Sequence, residues 1–252
     1  MKTNRLSAIS AAVVTGCALL SSVAHSQTVP PAGLTGQITA KDPVVLVGGY
    51  AQLDWKVNHP SIVKTVVTIN PSEIIPLVDV YSDVRVIGQG VTRNTRSGYM
   101  FVPTRATMSI NGSTFINIFN GINPDINPGK IISLNDVFGT TYATNVVQKG
   151  KAIRFGGQWK LGDTSGVHYK TNDGTDNVRF LVNGDTPPTN VPEYNAPSLE
   201  SFLRPYLDTA GKVKIGPMDV IVFMELTHTA AQKSHPAYDL QDMVLLVTFR
   251  KR

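Results

Sequence analysis

Hydrophobic and polar residues alternate with a period of two through much of this chain, the pattern of strands that bury one face. In 50–57 (YAQLDWKV), Leu53, Trp55 and Val57 share one face, while Gln52, Asp54 and Lys56 share the other. In 153–161 (IRFGGQWKL), Ile153, Phe155, Trp159 and Leu161 oppose Arg154, Gln158 and Lys160. The runs 62–69 (IVKTVVTI) and 178–182 (VRFLV) are rich in β-branched residues and predict two further strands. Near the end, 220–226 (VIVFMEL) and 243–249 (MVLLVTF) are apolar on both faces, which predicts strands covered from two sides.

Turn chemistry fits the same picture. Asn111-Gly112 stands between two strand-like runs and predicts a two-residue hairpin turn, both of whose central residues need positive φ. Asn120-Gly121, Asp173-Gly174 and Asn183-Gly184 predict further turns. One helix is expected over 198–208 (SLESFLRPYLD), where Leu199, Phe202, Leu203, Tyr206 and Leu207 follow helical spacing. Pro205 limits it to a short or kinked helix. The predicted fold is therefore all-β: an antiparallel β-sandwich of Greek-key or jelly-roll type with one short helix near 199–208. Pro/Gly-rich connectors at 120–130 and 184–197 are compatible with a single domain, and the first marks a candidate subdivision.

The N-terminal 26 residues have the form of an export signal. Lys2 and Arg5 precede an apolar stretch from Leu6 to Val23, and Ala24-His25-Ser26 supplies small residues for cleavage before Gln27. A lipoprotein reading of Val14-Thr15-Gly16-Cys17 competes, but Ala-Leu-Leu after Cys17 is apolar where a polar tether is usual. The expected mature chain is thus residues 27–252, one exported β domain, periplasmic or secreted. Because Cys17 is the only cysteine, that domain has no disulfide, thiolate metal site or cysteine nucleophile. Loss of Lys2 and Arg5 leaves 21 basic against 18 acidic residues, a net +3. No basic run reaches the length expected of a nucleic-acid or anionic-lipid patch, so no nucleic-acid partner is expected. The interrupted N-terminal apolar stretch suits a cleaved signal better than a permanent span, and no integral membrane role is expected.

Motif templates for phosphate loops, nucleophile elbows and H-E-x-x-H zinc sites all fail. Two acidic groupings remain. The turn 171–177 (TNDGTDN) offers Asp173 and Asp176 with Asn172 and Asn177, oxygen donors of the kind calcium takes, with Asp163 and Asp185 as outside candidates. It lacks the spacing and closing Glu of an EF-hand. The stretch 224–243 (MELTHTAAQKSHPAYDLQDM) holds Glu225, His228, His235, Asp239 and Asp242. On a strand, Glu225 and His228 point to opposite faces and cannot act together. A hairpin centred on the intervening loop instead sets Glu225 opposite Asp242, a cross-strand carboxylate pair that would share a proton or a cation.

Trp55 and Trp159 both fall on apolar strand faces and are expected in the core, which weakens a sugar-stacking role for them. Tyr50, Tyr81, Tyr99, Tyr169 and Tyr194 lie near strand ends and loops, where they could line a groove. The expected function is non-enzymatic: binding or structure at a cell surface, in the periplasm or in a matrix, with surface or matrix proteins or glycans as partners. The segment 28–42 is a candidate arm for strand addition to a neighbour. Two alternatives stand beside this: a hydrolase of extracellular polysaccharide using paired carboxylates, and a calcium-dependent adhesion module.

Overall fold

The computed structural model describes residues 61–142, 144–187, 203–235 and 237–252, together with the backbone of 35–40 and 53–58. The expected export signal over residues 1–26, Cys17, residues 198–202 of the expected helix and the Trp55 side chain lie outside the described residues.

Strands come first in chain order as β1 (Thr35–Ala40), β2 (Leu53–Asn58), β3 (Val67–Asn70), β4 (Glu73–Pro76) and β5 (Val80–Gly88). A ribbon of β6 (Thr92–Thr95) and β7 (Gly98–Phe101) follows, then β8 (Thr104–Ile110) and β9 (Ile116–Gly121). A five-residue helix, α1 (Leu134–Phe138), precedes β10 (Val146–Val147), β11 (Ile153–Leu161), β12 (Thr164–Ser165) and β13 (Tyr169–Lys170). The chain closes with β14 (Val178–Val182), β15 (Asp219–Met224) and β16 (Met243–Lys251).

These strands pair antiparallel into two principal sheets. One has the order β10-β5-β16-β15-β14; the other runs β3-β4-β11-β8-β9, with β12 and β13 also on β11. The pairs β1-β2 and β6-β7 stand as separate two-stranded sheets. The fold is thus all-β and sandwich-like, as expected. Segment 28–42, the candidate exchange arm, contributes β1, which is already paired with β2 of its own chain.

Placement in the first sheet explains why the C-terminal runs are apolar throughout. β16 lies between β5 and β15, so neither of its edges meets water. On one face Val220, Val222 and Met224 of β15 join Leu245, Val247 and Phe249 of β16. They meet Met108 of β8 and Phe155 of β11 in the inter-sheet core. On the other face Ile221, Phe223 and Val244 pack beneath Leu203, Val213, Tyr238 and Leu240. The sheet is therefore covered twice, by its partner sheet and by loop segments.

Local details depart from expectation where short-range chemistry outweighs periodicity. The run 62–69 opens as a 3₁₀ turn, Val63–Thr65, before β3 begins. Asn120-Gly121 makes no turn but ends β9. Asn111-Gly112 turns as predicted, with φ of 54° and 76°. Within the described part of 198–208 the backbone makes a single 3₁₀ turn, Arg204–Tyr206, with Pro205 inside it. Among the described residues the α-helix is α1, started by Ser133, whose Oγ accepts the Asp136 N–H at 3.2 Å. Five residues are too few for a periodic signal. The connector 120–130 is pinned to the end of β5, where Gln89 and Asn123 exchange hydrogen bonds of 2.9 and 3.0 Å.

At Gly157 of β11 the facing sheet comes close: a Cβ there would stand 2.9 Å from both Met224 Sδ and Leu226 Cδ2. The glycine thus admits the end of β15 into the core. Met243, Val244, Leu245, Val247 and Phe249 are fully buried. At roughly 1.5–3 kcal/mol each, their burial rivals the whole net stability of a typical domain. A chain lacking residues 240–252 is accordingly expected not to fold; a soluble truncation with a cooperative melt would contradict the placement of β16.

Candidate functional site: a buried carboxyl cluster

The end of the β15–β16 hairpin carries the densest titratable chemistry among the described residues. Val178 pairs with Met224 and Phe223 with Val244. Carried onward, these registers bring Asn177 and Asp242 to either side of Glu225. The ladder then stops, and the chain wraps around the Glu225 carboxylate. Oε1 accepts Thr227 N–H at 3.0 Å, Thr227 Oγ–H at 2.7 Å and His228 N–H at 2.9 Å. Oε2 accepts the Asp239 N–H at 3.1 Å. Asp242 Oδ2 accepts Leu226 N–H at 2.6 Å and Thr227 N–H at 3.0 Å. Asp239 Oδ1 receives Gln241 N–H at 3.0 Å.

The expected pair is therefore brought together, and a third carboxylate joins it. Glu225, Asp239 and Asp242 are 0, 4 and 6% exposed, and one oxygen from each lies within 4.8 Å of the others. Asp239 reaches the cluster because Leu240 adopts a left-handed φ of 59°. That conformation costs about 1–2 kcal/mol for a non-glycine residue, offset here by the nearly complete burial of Leu240. A register argument cannot reveal this kink, since it pairs only residues that stand opposite each other.

Strand parity also misplaces His228. Because β15 ends at Met224, the alternation of faces ends there too. The Glu225-capped turn swings His228 back, leaving its Nδ1 3.4 Å from Glu225 Oε1 and 2.8 Å from Thr227 Oγ. His235 stacks on it with ring centroids 4.3 Å apart. Asn177 closes the other side: Glu225 N–H donates to its carbonyl at 2.8 Å, and its Nδ2 donates to the carbonyls of Glu225 and His228.

Electrostatics follow from burial. Desolvation pushes the Asp242 carboxyl well above the usual carboxylate range, and the charges of Glu225 and Asp239 push it further. The hydrogen bond between Asp242 and Glu225 acts in the same direction, while the Leu226 N–H opposes it. Calcium wants six to eight oxygens, yet Glu225 Oε1 and Asp242 Oδ2 already accept five N–H and O–H bonds between them. The arrangement suits a shared proton better than a cation.

Asp173 and Asp176 are spent differently. Asp173 caps its own turn, accepting from Lys170 N–H, Thr175 N–H and Thr175 Oγ–H at 2.7–2.8 Å. Asp176 pairs with Lys233 and, at 3.2 Å, with Arg179. Asp185 accepts the Val182 N–H at 2.8 Å, and Asp163 is exposed on the β11–β12 turn. Trp159 is half-buried at the margin of the core instead of inside it. Elsewhere, a groove of about 260 Å³ places Asp125 and Asp136 near Lys130. A second, of about 320 Å³, runs beside β14 and is lined by Asp176 and Asp185. No described helix is long and apolar enough to cross a membrane.

A raised folded-state pKa stabilises the fold while Asp242 keeps its proton. That contribution is complete below the ordinary carboxyl value of 3.8 and is lost as pH rises through the folded value. Asp242→Asn keeps an acceptor for the Leu226 and Thr227 amides and supplies a permanent N–H toward Glu225. Melting curves at pH 5 and pH 8 are expected to show the variant gaining on the parent as pH rises; a constant difference would remove the shared proton. Glu225→Ala strands the His228 and Asp239 N–H groups and leaves Asp242 without its carboxylate neighbour, and is expected to cost about 3 kcal/mol or more in denaturant unfolding.

Comparison of the chain with protein-family models, with curated proteins and with solved structures returned no match.

Proposed function

We propose that this chain is an exported, non-catalytic β-sandwich module with a binding or structural role outside the cytoplasm. The observation that carries this reading is the fate of its best acid–base candidates. Glu225, Asp239 and Asp242 are buried and their oxygens are engaged by backbone and side-chain donors. A glycosidase needs two carboxyls across a cleft open to a sugar chain, about 5–10 Å apart. The trio instead acts as an internal clamp on the end of the core hairpin.

The hydrolase alternative retains one specific support, the open groove holding Asp125 and Asp136. Asp125 is partly committed, since its Oδ2 accepts the Ile122 N–H at 2.8 Å. Reducing-end assays on a panel of extracellular polysaccharides are expected to show no turnover by the mature chain. Hydrolysis abolished by Asp136→Asn or Glu225→Gln would replace the binding reading with an enzymatic one.

The calcium-adhesion alternative is opposed by the internal engagement of Asp173 and the cationic partners of Asp176. Chelation by EDTA is expected to leave the melting temperature unchanged. A drop on chelation, restored by added calcium, would support the adhesion reading.

A further inference from the structure

Residues 84–124 contain four arginines and neither Asp nor Glu. The centre of this acid-free block is the β6–β7 ribbon, in which every residue from Arg93 to Met100 is exposed. Its apolar atoms contribute little to the core: Tyr99 is 44% and Met100 38% exposed. A ribbon of two strands is marginal by itself, yet this one is held firmly at its root. Buried Gln89 donates through Nε2 to the carbonyls of Val91 and Val102, and Val102 N–H donates to Val91 O at 2.9 Å.

The two long faces of the ribbon differ. Across the strands Arg93 stands opposite Met100, and Asn94 opposite Tyr99. Tyr99 meets Phe101 edge to face at 5.8 Å, giving one face an aromatic pair beside Asn94. On the other, Arg93 Nε lies 2.9 Å from Met100 Sδ. Neither Arg93 nor Arg96 forms an ion pair with a described residue. At the root opens a cleft of about 230 Å³, lined by Val91, Val102, Trp159 and Leu161 with Arg93 and Thr227. Lys160 is exposed beside Trp159, and its N–H donates to Pro103 O at 2.8 Å, next to the ribbon.

We infer that the β6–β7 ribbon and the cleft at its root bind an acidic polysaccharide, a chain of sugar rings bearing carboxylates. This rests on the reading of the protein as an exported binding module. A sugar acid matches both halves of the surface. Its rings present C–H faces to Trp159 in the cleft on one side of the ribbon or to the Tyr99–Phe101 pair on the other, and its carboxylates offer two oxygens each to the planar fork of Arg93 beside the cleft or of Arg96 at the tip. The tip of the ribbon, Arg96-Ser97-Gly98, is polar, so tip-first entry into a lipid layer is disfavoured. The apolar groups lie along the flanks, where a polymer would run.

The test uses the full mature chain on immobilised polygalacturonate, with fully methyl-esterified polygalacturonate as the uncharged match. Retention is expected on the acid form, weakened by salt, and largely lost on the ester. Arg93→Ala and Arg96→Ala are each expected to weaken binding about tenfold, and Tyr99→Ala to weaken it on both polymers. Because these residues are exposed, all three variants are expected to melt with the parent, which separates lost contact from lost fold. Equal retention on the ester, no retention on either polymer, or arginine variants that bind like the parent would overturn the inference. Tighter binding to oligodeoxythymidylate or to phosphatidylserine vesicles than to polygalacturonate would overturn it as well. Release of reducing ends from polygalacturonate would overturn the non-catalytic reading while leaving the site in place.

Discussion

Everything in this fold depends on two neighbouring strands, β15 and β16, being covered on both faces. Their side chains alternate between the inter-sheet core and a second apolar layer under Leu203, Val213, Tyr238 and Leu240. β16 moreover lies at the centre of its sheet, with β15 on one side and β5 on the other. It also cannot end in open water. The hairpin must turn while still inside the protein, and the residues that make the turn must satisfy their backbone groups there.

The carboxyl cluster is the solution to that problem. Leaving the β ladder at Met224 strands a series of N–H groups, at Leu226, Thr227, His228 and Asp239. Glu225 and Asp242 accept all four. Anions are suited to this task because a charge-assisted hydrogen bond is stronger than a neutral one. Three ionised carboxylates at this depth would repel one another, and burial together with the Glu225 and Asp239 charges raises the Asp242 carboxyl so that it holds its proton to higher pH than an exposed one. Acid chemistry that resembles an active site in sequence is used here to end a buried hairpin.

What could be read from the sequence follows the range of the forces involved. Strands β11 and β14 occupy the runs that predicted them, because a half-buried strand imposes its period directly, although Gln158 of the polar set is buried and Trp159 of the apolar set only half-buried. The two-sided burial of β15 and β16 was legible for the same reason. Glu225 opposite Asp242 was legible as simple register. Asp239 and His228 were not, because both reach the cluster through departures from regular structure. One is a left-handed Leu240, the other a turn capped by a side chain. The helix over 198–208 was expected from apolar spacing, yet Leu203 and Tyr206 lie over the sheet from a 3₁₀ turn. Apolar spacing reports what is buried, and only more weakly the backbone that buries it.

The clamp and the ribbon are joined through the backbone. Gly90, just before β6, donates its N–H to Asp242 O at 3.3 Å, and a Cβ at this glycine would stand 2.8 Å from Gln241 O. Thr227, which donates to both Glu225 and Asp242, also forms part of the cleft at the ribbon's root. The exposed ribbon is therefore seated on the same turn that the buried carboxyls hold. A two-stranded ribbon has no core of its own to fix its direction, so its bearing must come from its root. Here that root is set by Gln89 on one side and the 225–242 clamp on the other. A binding surface can stay fully exposed because the order it needs is supplied by a polar cluster that solvent does not reach.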